Sequence, residues 1–154
     1  MKKLVCSSLL ILGLVTSGTF AFGGQKHCQS TSGSLITNFG VVDANTTLGP
    51  ATGDLKGAVA ATVLSITPNA DGTVSFNVQH HWVTEAGDTI NIDPATAITM
   101  PLSQTLFAII KYPVHITGGT GKFAGATGDL TAIGEADLSA GTALRYSGKV
   151  CYAQ

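Results

Sequence analysis

"TVSFNVQHHWV", residues 73–83, alternates without a break. Val74, Phe76, Val78, His80 and Trp82 fall on one side of an extended chain, and Thr73, Ser75, Asn77, Gln79 and His81 on the other. Successive side chains of a strand point to opposite faces, so period two marks a strand with one face buried and one wet. The stretch follows "PNADG" (68–72), whose Asp71-Gly72 is a tight-turn pair, and leads through "TEAGDT" (84–89) into "TINI" (89–92). Residues 73–92 read as a hairpin.

Its neighbours repeat the pattern. "DLKGAVAATVLSI" (54–66) pairs back onto the hairpin, and "SLITNFGVVD" (34–43) precedes it. Downstream come "LFAIIKYPVHI" (106–116), interrupted by Pro113, then "DLTAIGEADL" (129–138) and "TALRYSGKVCYA" (142–153), joined by "SAG". Pro113 cannot donate to a ladder, so it marks an edge, a bulge or a bend. No window carries an i, i+3, i+4, i+7 apolar stripe. About eight short strands with tight turns predict an all-β fold, a closed eight-stranded antiparallel barrel, with a β-sandwich as the alternative. An immunoglobulin sandwich is disfavoured, because Trp82 lies far from Cys28 and the cysteines are too widely separated.

An internal echo supports the barrel. "PATGDLKGAVAATVL" (50–64) matches "GATGDLTAIGEADLS" (125–139) through a shared Ala-Thr-Gly-Asp-Leu, and both copies are expected to place a turn before a strand. With Leu55 and Leu130 inward, so are Gly57, Val59, Ala61 and Ala132, Gly134, Ala136. Small inward residues let strands bend and leave room inside a closed sheet.

The glycine-rich stretch "ITGGTGKFAGATGDL" (116–130) poses a separate question, whether it grips a phosphate. A Walker loop needs Ser or Thr after Gly-Lys, but Phe123 stands after Lys122. A dinucleotide fingerprint needs a helix after it, and the residues from Gly128 onward alternate like a strand. The turn reading accounts for more residues: Gly118-Gly119 offers positive φ, and Phe123 packs as a plug under the loop.

"GGTGKFAGATGDL" (118–130) resembles the glycine-rich segment of the allene oxide cyclase-like and dirigent-like barrel proteins, and of small secreted bacterial proteins with the same barrel. A weaker likeness runs through "LKGAVAATV" and "AGDT". The resemblance implies an eight-stranded antiparallel barrel with an apolar lumen. Plant members bind reactive hydrophobic intermediates and steer their cyclisation or coupling, and some bacterial relatives are cyclases. None of their catalytic residues maps onto this chain, so the resemblance carries fold without function.

The chain opens "MKK" and continues "LVCSSLLILGLVTSGTF" without a charge. Residues 1–21 have the parts of a secretory signal peptide, with cleavage after Ala21 or after Gly23. Ser7, Ser8, Gly13, Thr16, Ser17 and Gly18 dilute the run, so a membrane anchor fits it less well. Residues 22–154 then form one exported domain, periplasmic or extracellular, without a membrane span. Losing Lys2 and Lys3 leaves six basic residues against nine acidic ones, a net charge of −3. With no basic stripe, nucleic acid is not an expected partner. Cys28 and Cys151 survive processing, and in an oxidising compartment a lone pair is most simply a disulfide. Chain entropy values such a long loop at about 4–5 kcal/mol at most.

His80 and Trp82, with Phe76 below them, face the apolar side of their strand. Tyr112 and Tyr146 fall on inward phases, with Ile110, Val114, Leu144 and Val150. His80, Trp82, Tyr112, Tyr146 and Phe76 are the expected lining of a site for a small hydrophobic ligand. An ordinary aromatic core is the plainer reading of the same residues. His80 is the candidate acid or base should there be chemistry. His81 points the other way, His115 lies far along the chain, and His27 sits beside Cys28 at an end expected to be disordered, so neither metal nor cofactor is expected. Glu135 and Asp137 share an outward face, while Asp54, Asp88 and Asp129 come directly after glycines in turns. Phe107 and Ile109 take the outward phase, an apolar surface suited to a homo-oligomer. The functional expectation is a non-enzymatic exported barrel that binds a small hydrophobic molecule or a partner. The alternative is a cyclase or isomerase using His80, Tyr112 and Tyr146.

Overall fold

Ten strands build the wall in the computed structural model, which describes residues 26–153. They are β1 (His27–Asn38), β2 (Thr46–Gly53), β3 (Gly57–Pro68), β4 (Val74–Thr84), β5 (Thr89–Ile92), β6 (Ala95–Pro101), β7 (Leu106–Lys111), β8 (Pro113–Gly119), β9 (Thr127–Asp137) and β10 (Gly141–Tyr152). The expected leader lies outside the described residues, none of which forms a helix long and apolar enough to cross a membrane.

All pairings are antiparallel. β5 and β6 both pair with β4, and β7 and β8 both pair with β9, so each couple acts as one long strand with a break. The breaks fall at Asp93-Pro94 and at Tyr112-Pro113, where proline removes a ladder donor. Ten segments thereby make a closed eight-stranded barrel, sealed where β10 pairs with both β9 and β1. Cys28 opposes Cys151 in that last register, and the two form a disulfide across a sequence separation of 123.

The inward phase agrees with the sequence pattern on most strands. Phe76, Val78 and Trp82 of β4, Val59 of β3, Leu130, Ala132 and Ala136 of β9, and Leu144, Tyr146 and Val150 of β10 are all buried. On β7 the pattern misleads. Phe107 and Ile109, expected outside, are buried, and Ile110, expected inside, is 52% exposed. Ile98 pairs with Lys111 and Thr99 with Ile109, which leaves Ile110 without a partner on β6. Ile110 and Lys111 both face out, and this bulge flips the phase before Tyr112 and Val114. The surface assigned to Phe107 and Ile109 therefore does not exist.

Three further expectations are corrected. Two strands, β2 and β6, are present beyond those expected. The Ala-Thr-Gly-Asp-Leu echo is not a structural repeat, since its first copy ends β2 and turns whereas its second lies largely within β9. His27 is not frayed; it opens β1 opposite Tyr152.

Candidate functional site

The two ends of the barrel are built differently. At the disulfide end the chain stops its own lumen. Leu55, 1% exposed, reaches inward from the β2–β3 turn. The Trp82 indole donates to the Leu55 carbonyl at 2.9 Å, and the Tyr146 hydroxyl accepts from the Leu55 amide at 3.1 Å and donates to the Thr52 carbonyl at 2.8 Å. Trp82 and Tyr146 meet edge to face, with centroids 5.6 Å apart at 86°. Gly33 makes room for this arrangement, because a methyl there would strike the Thr52 carbonyl and the Tyr146 ring.

The glycine-rich segment closes the same end. Residues 121–123 form a single 3₁₀ turn that buries Phe123 against Tyr152, at a centroid distance of 5.5 Å. Most of its amides already have acceptors. Thr120 N–H bonds to Thr89 O, Phe123 N–H to Thr120 O, Ala124 N–H to Gly121 O, and Lys122 N–H to the Asp88 carboxylate at 3.1 Å. An anion approaching this loop would meet Asp88 in its place. The stretch turns the chain and plugs the barrel, and these bonded amides are not free to cradle a phosphate.

Towards the other end, where β1–β2, β3–β4, β6–β7 and β9–β10 turn, the lumen keeps a cavity of about 60 Å³. Phe76, Val78, Ile109, Leu144, His80 and Tyr112 are part of its wall, and Phe39, Val63, Leu138 and Thr142 line it nearer the mouth. Four threonines also line it, yet their hydroxyls are engaged elsewhere. Thr37 and Thr142 bond to each other at 2.7 Å, Thr47 donates to Ala61 O at 3.4 Å, and Thr99 donates to Val74 O at 2.9 Å. A polar residue type thus contributes mainly apolar surface.

His80 and Tyr112 are the exception. Tyr112 Oη lies 2.7 Å from His80 Nε2, and the rings sit 5.6 Å apart at 39°. Burial lowers the His80 pKa to about 4 and pushes the Tyr112 phenol well above its usual value. At neutral pH the pair is uncharged and shares one hydrogen bond. The enclosed Nδ1 of His80 has no partner. A neutral imidazole has one donor and one acceptor nitrogen, so whichever proton arrangement Tyr112 selects, Nδ1 is left unsatisfied.

Of the five expected lining residues, the structure brings Phe76, His80 and Tyr112 to the cavity and places Trp82 and Tyr146 in the stopper at the far end. Sequence reasoning missed Ile109, hidden by the β7 bulge, and the threonines, whose residue type gives no sign of how their hydroxyls are used. Glu135 is exposed, and Asp137 bonds to Ser139 of its own turn. Asp54 and Asp88 serve turns, as expected. Asp129 instead lies within β9 and pairs with His115 at 2.8 Å on the outer wall. No group of three His, Cys, Asp or Glu capable of holding a metal occurs among the described residues.

No family model and no curated protein matches the chain. Among solved structures it is similar to the pterocarpan synthase dirigent protein GePTS1, at 14% identity and a TM-score of 0.37, over 93% of this chain and 98% of that one. A likeness of that size carries no argument about the site.

Proposed function

We propose that the chain is an exported, non-enzymatic β-barrel that accepts a small apolar molecule, or the end of a longer one, through the unstoppered end of its lumen. The observation that carries this reading is the one-ended cavity, apolar on all sides except for the neutral His80–Tyr112 pair. Its volume limits the occupant. At about 60 Å³ it is well below the ~300 Å³ at which drug-sized sites begin. A slender alkyl end suits such a space, and a bulkier ligand would have to displace side chains at the mouth. The single uncharged handle suits a hydroxyl or carbonyl better than a charged group, whose desolvation nothing there offsets. The disulfide and the leader-like residues 1–21 support export.

The cyclase reading retains His80 and Tyr112 but loses Tyr146 to the stopper. A general base works best with a pKa near the operating pH, and His80 at about 4 is far below it. Binding without turnover is therefore preferred.

The test is amide chemical-shift perturbation of the processed protein titrated with 1-hexanol, together with native mass spectrometry of protein from its own host. Shifts clustered on β4 and β7, or a copurifying apolar ligand, are the expected results. Ala97 is 2% exposed and lines the cavity, so Ala97→Leu should abolish the hexanol response, with an overpacking cost of about 1–3 kcal/mol. An unresponsive native barrel that also carries nothing from its host would sink the reading.

A further inference from the structure

The outer wall carries an apolar field that neither the lumen nor the stopper requires. It tracks the register across five segments, with Ile36 on β1 opposite Ala143, Ala143 opposite Glu135, Glu135 opposite Ala108, and Ala108 opposite Met100 on β6. One step along, Ile133 lies opposite Arg145. Ile36 is 61% exposed, Leu102 60% and Ile133 45%, and all three line one shallow groove on this wall. Isolated exposed apolar side chains are ordinary, but a contiguous set with a polar rim marks a contact surface.

Two charges stand in that groove, Glu135 and Arg145. Among the described residues neither takes part in an ion pair; the pairs there are Lys56–Glu85 and His115–Asp129. Opposite single charges offset on one apolar face are self-complementary. A two-fold axis lying in the plane of the interface, midway between the two charges, sets each arginine against the other copy's glutamate, twice, as an isologous contact requires. The face is also neutral as a whole, so two acidic chains can meet there without bringing like charges together. A membrane surface is a poorer match, since anionic lipid favours unbalanced basic residues and here the one arginine is balanced.

We infer that the outer face formed by β1, β10, β9, β7 and β6 docks a second copy of this chain by two-fold symmetry, with Arg145 opposite the partner's Glu135. The contact is independent of any ligand in the lumen.

Sedimentation velocity on the processed, disulfide-intact protein tests it. A concentration-dependent dimer is expected. Arg145→Glu alone, or Glu135→Arg alone, should weaken it by about tenfold or more, because each variant sets like charges face to face in both copies. Glu135→Arg combined with Arg145→Glu should restore most of the association. Both residues are exposed, and circular dichroism of each variant confirms that the barrel is intact. Ile133→Ser should weaken the dimer without touching either charge. A protein that stays monomeric at its highest soluble concentration overturns the proposal. So does an association indifferent to the single reversals, or one that the double reversal fails to rescue.

Discussion

Tyr146→Phe removes one oxygen from the stopper and leaves the ring in its edge-to-face contact with Trp82. That oxygen accepts from the Leu55 amide and donates to the Thr52 carbonyl. Leu55 is 1% exposed, so its amide has no access to solvent as a substitute. An orphaned buried donor costs roughly 1–3 kcal/mol, whereas the Thr52 carbonyl, on an exposed residue, loses less. The expected loss is about 2 kcal/mol, which for a domain of this size lowers Tm by about 8 °C. Urea unfolding of the wild type and the variant, both with the disulfide intact, gives the difference directly. Amide exchange at Leu55 should accelerate in parallel, while the hexanol response stays unchanged, because Tyr146 does not line the cavity. A loss below about 0.5 kcal/mol would refute the account of the stopper, since it would mean that the hydrogen bonds at Leu55 contribute nothing beyond what water supplies. A vanished hexanol response with unchanged stability would refute the division of the lumen into a stopper and a cavity.

His80 predicts a pH dependence. Its folded pKa of about 4 lies below the ordinary histidine value, so the unfolded chain binds the proton more readily. Stability is full above about pH 6.5, falls by up to roughly 3 kcal/mol as the pH drops towards 4, and His80→Phe should flatten that slope in urea titrations. Reduction of Cys28–Cys151, or the double Cys→Ser variant, should cost at most about 4–5 kcal/mol, read from denaturation with and without reductant. Gly33→Ala should destabilise by more than Tyr146→Phe, roughly 3 kcal/mol or above in the same urea assay, as the added methyl meets the Thr52 backbone carbonyl as well as the Tyr146 ring.

Much of the wall was legible because its strands are half buried and their side chains therefore alternate. In "TVSFNVQHHWV" the alternation correctly marks Phe76, Val78 and Trp82 as buried and His81 as exposed, although Thr73, on the side expected to be wet, is buried too. Legibility ends where burial does not alternate. "TTLGPATG" (46–53) buries the consecutive Thr46 and Thr47, and its glycine and proline resemble turn residues, so the segment does not announce β2. In "LFAIIK" no polar residue separates one phase from the other until Lys111, and the bulge at Ile110 is a property of pairing with β6 that the segment does not encode alone. The site divides the same way. The inward phase of His80 and Tyr112 is a local fact and can be read. Their 2.7 Å contact joins residues on β4 and next to β8, and depends on how far each strand runs around the ring. So does the assignment of Trp82 and Tyr146 to the far end, which is a matter of height along the barrel rather than of phase.

The seam at Cys28–Cys151 joins the first and last of the described strands, which has a consequence for biogenesis. While β10 is still unmade, the sheet exists only as an unrolled ribbon whose two raw borders, β1 and β9, are each long enough to recruit a stranger's backbone. A chain threaded from its amino terminus into an oxidising space would carry Cys28 through that whole interval without its mate. A carrier that shields the leading border, or masks that thiol until the trailing strand emerges, would therefore serve this protein more than any aid given after the ring has shut.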